Sequence, residues 1–156
     1  MDMEPAPPFF QTPTEARDWG FGVFSCRYGN IYTTRQLVQL FDEAFGHRTP
    51  VDQVWAKGDR FYDALRVSID PVGHDTPETV LALRTRHLAA VRAMFENLDL
   101  FVFTLGLTEG WESVADGTMY PMAPGTLAGT YEPDQYVFHN LRHAEILQDM
   151  KDFWDR

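Results

Sequence analysis

The sequence predicts an α/β fold with a parallel central sheet, and three observations predict it. The first is Leu98–Gly110, LDLFVFTLGLTEG, whose apolar core from Leu98 to Leu105 is closed by Gly106. A short continuous apolar run bounded by glycine is the pattern of a strand buried on both faces, and such strands sit centrally in parallel sheets. The second is the long helical pattern just before it. Over 76–97, Val80, Leu81, Leu88, Val91, Met94, Phe95 and then Leu98 repeat along one face. A helix leading straight into a strand is an α-then-β unit. The third is another apolar helical stripe, Leu37, Val38, Leu40, Phe41, Ala44 and Phe45. Leu100–Leu105 is therefore expected as a buried strand between helices at about 34–45 and 76–97. Ligands of open α/β sheets bind beyond the carboxyl ends of strands. Gly106-Leu107-Thr108-Glu109 stands at that place with a hydroxyl and a carboxylate. The same two residues also suit a cap or a turn.

Taken in order, residues 1–18 hold Pro5, Pro7, Pro8 and Pro13, which leave little room for regular structure. Phe9 and Phe10 are expected to pin this arm to the body. Trp19–Tyr32 is rich in aromatics and glycine without a clean period, and reads as an extended loop with at most a short strand. The first helix has Thr33 and Gln36 at capping-box spacing, and Gly46 is placed as its stop. Residues 47–75 look irregular, with Phe61-Tyr62-Asp63 and Leu65–Ile69 as short strands. The long helix has Asp75 and Glu78 at capping-box spacing and Pro77 in its first turn. Ala115-Asp116-Gly117 between Trp111–Val114 and Thr118–Tyr120 is a hairpin signal. Residues 121–138 read as loop. The last helix starts near Leu141 and buries Leu141, Ala144, Leu147, Met150 and Trp154. A parallel sheet needs a further strand after that helix. The expectation is therefore a piece of a larger domain, with Phe153 and Trp154 more exposed than their spacing implies.

Length and composition fit one domain with a real core: 156 residues, 44% apolar and 14% aromatic. A net charge of −10 argues against a nucleic-acid surface or an anionic membrane. No apolar segment is long enough to span a bilayer, so membrane insertion is not expected. MDMEPAPPFF lacks the basic start and apolar run of a secretory signal. Cys26 is the single cysteine, which excludes an intramolecular disulfide and fits a reducing, cytoplasmic setting.

Candidate chemistry is sparse. His139 and His143 are four apart, the spacing of paired ligands on a helix, but zinc needs three or four ligands and no third is evident. No metal and no cofactor are expected. His87 lies in a helix rich in arginine and is expected at the surface. There is no phosphate loop, no Gly-x-Ser-x-Gly elbow and no Cys–His signature. Ser25-Cys26 has no neighbouring base, so Cys26 reads as an inert, partly buried thiol. Tyr28, Tyr32 and Trp111 are candidates for a pocket lining, although most aromatics are simply core.

The run Gly22–Thr33, GVFSCRYGNIYT, resembles the GVFSARYGNIYT segment of GSCFA-domain proteins, and Phe101–Glu109, FVFTLGLTE, matches a second segment of that family. Val54-Trp55, Arg60–Asp63 and Thr79–Arg84 lie between them and also fit. That family is similar to SGNH hydrolases. The resemblance implies a three-layer, flavodoxin-like α/β domain that hydrolyses esters or transfers acyl groups, with a carbohydrate or polysaccharide ester as the substrate class. It places the nucleophilic serine before residue 1 and the histidine beyond Arg156, so residues 1–156 would be the middle of a domain truncated at both ends. Gly106 and Thr108 then stand where an oxyanion hole is built, Thr108 offering a hydroxyl in place of an asparagine amide. Gly29 is the candidate for a second donor, with several glycines nearby as rivals. Tyr28, Asn30, Glu109 and Trp111 are the candidate binding residues. A carboxylate repels an oxyanion, so Glu109 is expected to point away and brace the loop around Gly29-Asn30. The alternative is a non-catalytic carbohydrate-binding or structural module using a Gly106–Trp111 pocket.

Overall fold

The structure, a computed structural model, describes residues 12–18, 21 and 26–156. Expectations for Phe9, Phe10 and the stretch 19–25 apart from Phe21 lie outside the described residues. Among the described residues, four helices and five strands follow in the order α1 (Pro13–Asp18), α2 (Thr34–Ala44), β1 (Val54–Lys57), β2 (Arg60–Asp63), α3 (Pro77–Asn97), β3 (Glu109–Ser113), β4 (Met119–Tyr120), β5 (Tyr136–Asn140) and α4 (His143–Trp154). The fold is mixed α/β, but its sheets are small and antiparallel. β1 and β2 form a hairpin, and a second sheet has the order β4-β3-β5. The turns explain this. Gly58-Asp59 and Val114–Thr118 are too short for a crossover, so the strands they join can only run antiparallel.

No described strand pairs with the apolar run. Leu98–Leu107 belongs to no helix or strand, with Leu100 79% and Val102 77% exposed. Phe101 and Phe103 are half-buried; Phe101 turns toward Phe95 and Phe153, 5.5 Å away in each case. The expected buried strand is thus corrected to a segment that alternates apolar-in and apolar-out. Its described backbone anchor is Leu107 N–H donating to Tyr32 O at 2.9 Å.

The helix termini follow the local chemistry closely. In α2, Thr33 Oγ1 accepts from Gln36 N–H and Gln36 Oε1 accepts from Thr33 N–H, the reciprocal box. Gly46 takes φ +76°, while His47 N–H reaches Asp42 O at 2.7 Å and Gly46 N–H reaches Glu43 O at 3.1 Å. An added Cβ at Gly46 meets nothing within 4 Å, so only backbone strain opposes it. Gly46→Ala should therefore cost about 1 kcal/mol. A urea midpoint unchanged by that variant would show that the left-handed turn does not end the helix.

Four local expectations are corrected. Thr76, not Asp75, caps α3, accepting from Thr79 N–H at 3.2 Å, and Asp75 pairs with Arg60. Residues 65–69 are turns, because Asp63 captures Leu65 N–H at 3.0 Å and the chain then closes Arg66–Asp63 and Ile69–Arg66 bonds. Tyr136–Phe138 is strand and not loop, paired with β3 in the register Trp111↔Phe138. Pro13 starts a helix, since Thr12 and Glu15 cap each other across it.

Two apolar clusters form among the described residues. Trp55, Ala64, Val67, Tyr120, Ala128 and Tyr136 join the two sheets. Cys26, Ala44, Ala90 and Val91 join α2 to α3. Cys26 is fully buried and not partly so. α4 docks on α2 through a buried carboxylate: Asp149 accepts from Thr34 Oγ1 at 2.9 Å and Arg35 Nε at 2.7 Å. Phe153 packs edge-on to Phe41 and Phe95, while Ala144, Leu147 and Trp154 of the expected buried face are exposed, Trp154 at 87%. No helix among the described residues is long and apolar enough to cross a membrane.

Candidate functional site

The loop Cys26–Tyr32 is the most constrained segment outside the regular elements. Arg27 takes φ +53° and Gly29 φ +70°, and a Cβ at Gly29 would lie 3.2 Å from Ile69 Cδ1. Both residues are buried. Buried polar groups below hold the loop by its carbonyls: His87 Nδ1 donates to Cys26 O at 2.7 Å, and Arg66 Nη1 donates to Arg27 O at 3.1 Å. Arg27 itself pairs with Asp70 at 2.7 Å and lies over the Phe21 ring.

These groups belong to a buried ionic network between α2, β2 and α3. Asp63 accepts from Arg66 Nε at 2.9 Å and from Arg84 Nη1 at 2.9 Å, and Arg84 also binds Glu43. Burial alone would raise the Asp63 pKa, but the charges of Arg84 and Arg66 outweigh it and hold the carboxyl far below its ordinary value. Glu43 goes the other way. Burial pushes its pKa up, Arg84 compensates only in part, and Asp63 adds repulsion. Burial, with Arg66 nearby, pushes His87 well below the ordinary histidine value, so the ring is neutral and donates through Nδ1. Burial also opposes the Asp70 charge, yet the His74 hydrogen bond and Arg27 leave its pKa lowered. His87 is 1% exposed, which corrects the expected surface position.

Above this network lies a cavity of about 230 Å³. One wall is Tyr28–Tyr32 and the other is Phe101–Thr104, with Leu37 and Leu40 of α2 and Met94 and Phe95 of α3 between them. The structure thus brings the expected residues Tyr28, Gly29 and Asn30 together with the apolar run. Asn30 is exposed at the rim, and its Nδ2 donates one hydrogen bond to Tyr32 Oη at 2.8 Å.

The remaining expected residues lie elsewhere. Gly106 is a close backbone approach: an added Cβ would come within 3.3 Å of Tyr32 O. Thr108 is exposed, its hydroxyl donating to Asn140 Oδ1 at 2.8 Å, while its carbonyl accepts from Leu141 N–H. Glu109 is exposed and sits opposite Asn140 in the β3–β5 ladder. Trp111 packs edge-on to Tyr131 and Phe138, 5.1 and 5.8 Å away, on the sheet core. His139 is in β5 and His143 begins α4, so they do not share a helix face. His139 instead bridges Glu112 at 2.7 Å and Glu145 at 3.0 Å. No cluster of three metal-ligating side chains occurs among the described residues.

Sequence reasoning missed Arg66 and His87 as the supports of the loop, and Arg84 as the partner of Asp63 and Glu43. Their signal was faint. Val80, Arg84, His87 and Val91 keep helical spacing, so two polar residues stood inside an apolar stripe.

Comparison with curated proteins and with solved structures returned no match. The family model described as GSCFA family matches residues 13–156, the whole described body of the chain. The chain belongs to the GSCFA family.

Proposed function

We propose that this chain supplies the substrate pocket and oxyanion donors of an SGNH-like hydrolase acting on esters, including acyl esters of carbohydrates, with the serine and histidine contributed from outside residues 1–156. The observation that supports it is the meeting of Tyr28–Tyr32 with Phe101–Thr104 around one cavity. An oxyanion site needs fixed donors beside a region from which water is partly excluded. Asn30 meets the first need, because its amide nitrogen carries two hydrogens and one is given to Tyr32. Gly29 lets the backbone turn there. Thr108 is a weaker donor, since its proton goes to Asn140; a half-turn of that amide would release it. In the full-length protein, Asn30→Ala should lower ester hydrolysis roughly a hundredfold, as for other lost oxyanion donors. Thr108→Val should lower it less. Full-length protein that neither hydrolyses p-nitrophenyl esters nor reacts with a fluorophosphonate would overturn this reading in favour of a non-catalytic module.

A further inference from the structure

We propose that the cavity between Tyr28–Tyr32 and Phe101–Thr104 receives an uncharged, hydrophobic acyl group of about six to nine heavy atoms, a size set by scaling from apolar cavities of known occupancy. The proposal rests on the hydrolase reading for the word acyl, and on the cavity alone for size and polarity.

A dry apolar cavity of about 150 Å³ holds benzene, with six heavy atoms. At 230 Å³ the present cavity, open to solvent at its mouth, has room for at most about nine on the same scale. An acetyl group would leave most of it unfilled. No aspartate, glutamate, lysine, arginine or histidine lines the cavity. A carboxylate tail would therefore be buried without a partner, which is costly. The arrangement is also graded with depth. Leu37 is buried, Phe101 and Phe103 are half-buried, and Asn30, Thr104 and the apolar Val102 are exposed at the mouth. An apolar tail enters first and a neutral polar head stays at the mouth, beside the Asn30 amide. A sugar ring lacks the apolar surface to fill that floor, so a glycosyl group belongs outside. Met94, flexible and polarisable, suits a chain of variable shape.

The test has two arms. In the first, methyl octanoate is titrated into the 156-residue chain and the Met94 methyl resonance is followed by NMR. Saturable shifts are expected with methyl octanoate, and at least tenfold weaker ones with sodium octanoate. In the second, full-length protein is assayed on p-nitrophenyl esters from acetate upward. The kcat/KM should rise about fourfold per added methylene, the fold-change equivalent to its transfer energy, to a maximum at about six to eight carbons. Thr104→Trp, at an exposed position on the rim, should move that maximum to shorter chains. Acetate as the best substrate, with no Met94 shift, overturns the proposal while leaving the hydrolase reading intact. A Met94 shift without cleavage of any ester upholds the receptor and sinks the hydrolase.

Discussion

Asp63→Ala should destabilise the protein by about 3–5 kcal/mol, the penalty for removing one partner of a buried ionic network. Asp63 is 2% exposed, and its carboxylate accepts from both Arg66 and Arg84, themselves 4% and 2% exposed. Without it, Arg84 keeps Glu43 and Arg66 keeps the charge of Asp70, but each guanidinium loses a directly bonded carboxylate away from water. Domains of this size are stable by only about 5–15 kcal/mol, so the variant should lose a large share of its stability. Glu43→Gln should cost less than half as much. Burial already favours the neutral form of Glu43, and its Oε1 has no hydrogen-bond partner to lose. Urea unfolding followed by circular dichroism measures both variants. Should Asp63→Ala fail to fold, Asp63→Asn, which keeps an acceptor for one arginine, gives a measurable midpoint. A loss under about 1 kcal/mol in Asp63→Ala, small for a buried pair, would mean that the two arginines find water.

That network shows where sequence reading stops. The helices were legible, because capping and periodicity are local: Thr33/Gln36 and Gly46 fixed both ends of α2. The Ala115–Gly117 hairpin was legible for the same reason. The central strand was not. A double-faced apolar run specifies burial only if partners exist to pair with it, and among the described residues Leu98–Leu107 has none. Its phenylalanines went to a cavity wall and its aliphatic residues to solvent. The face of α3 was half legible. Val80 and Val91 are buried as expected, but Arg84 and His87 between them are buried too. Charge in a helix ordinarily signals solvent, and nothing local shows that Glu43 and Asp63, 41 and 21 residues away in sequence, arrive to neutralise Arg84. Of the two walls of the cavity, Tyr28, Gly29 and Asn30 were candidate site residues, whereas Phe101–Thr104 read as a buried strand. Their meeting across α2 and α3 was a tertiary fact. Trp111 and Glu109, placed in the site by adjacency to Thr108, instead went with β3 to the second sheet.

The second large effect is on pH. The folded-state pKa of His87 lies well below its ordinary value of about 6.5, because burial and the Arg66 charge both oppose protonation. A depressed folded pKa means stability that is present above the unfolded pKa and lost as pH falls toward the folded one. Below about pH 6.5 the unfolded chain holds one more proton than the native chain, so stability falls by about 1.4 kcal/mol per pH unit. Glu43 opposes it, since its raised folded pKa makes the native state take up a proton first as pH drops. Asp63 and Asp70 have lowered values, so their contributions begin to be lost as pH falls through the unfolded aspartate range, about 3.9, and touch the window from pH 7 to 4.5 only at its acid end. The difference between the native protein and His87→Gln isolates the histidine. Glutamine keeps an N–H that can serve Cys26 O, the other four histidines are common to both proteins, and so is Glu43. Urea unfolding from pH 7 to 4.5 should show the native protein losing stability faster than His87→Gln by a slope of about one proton. Parallel curves would mean that His87 takes up its proton in the folded state, and that the Cys26–Tyr32 loop moves to let it.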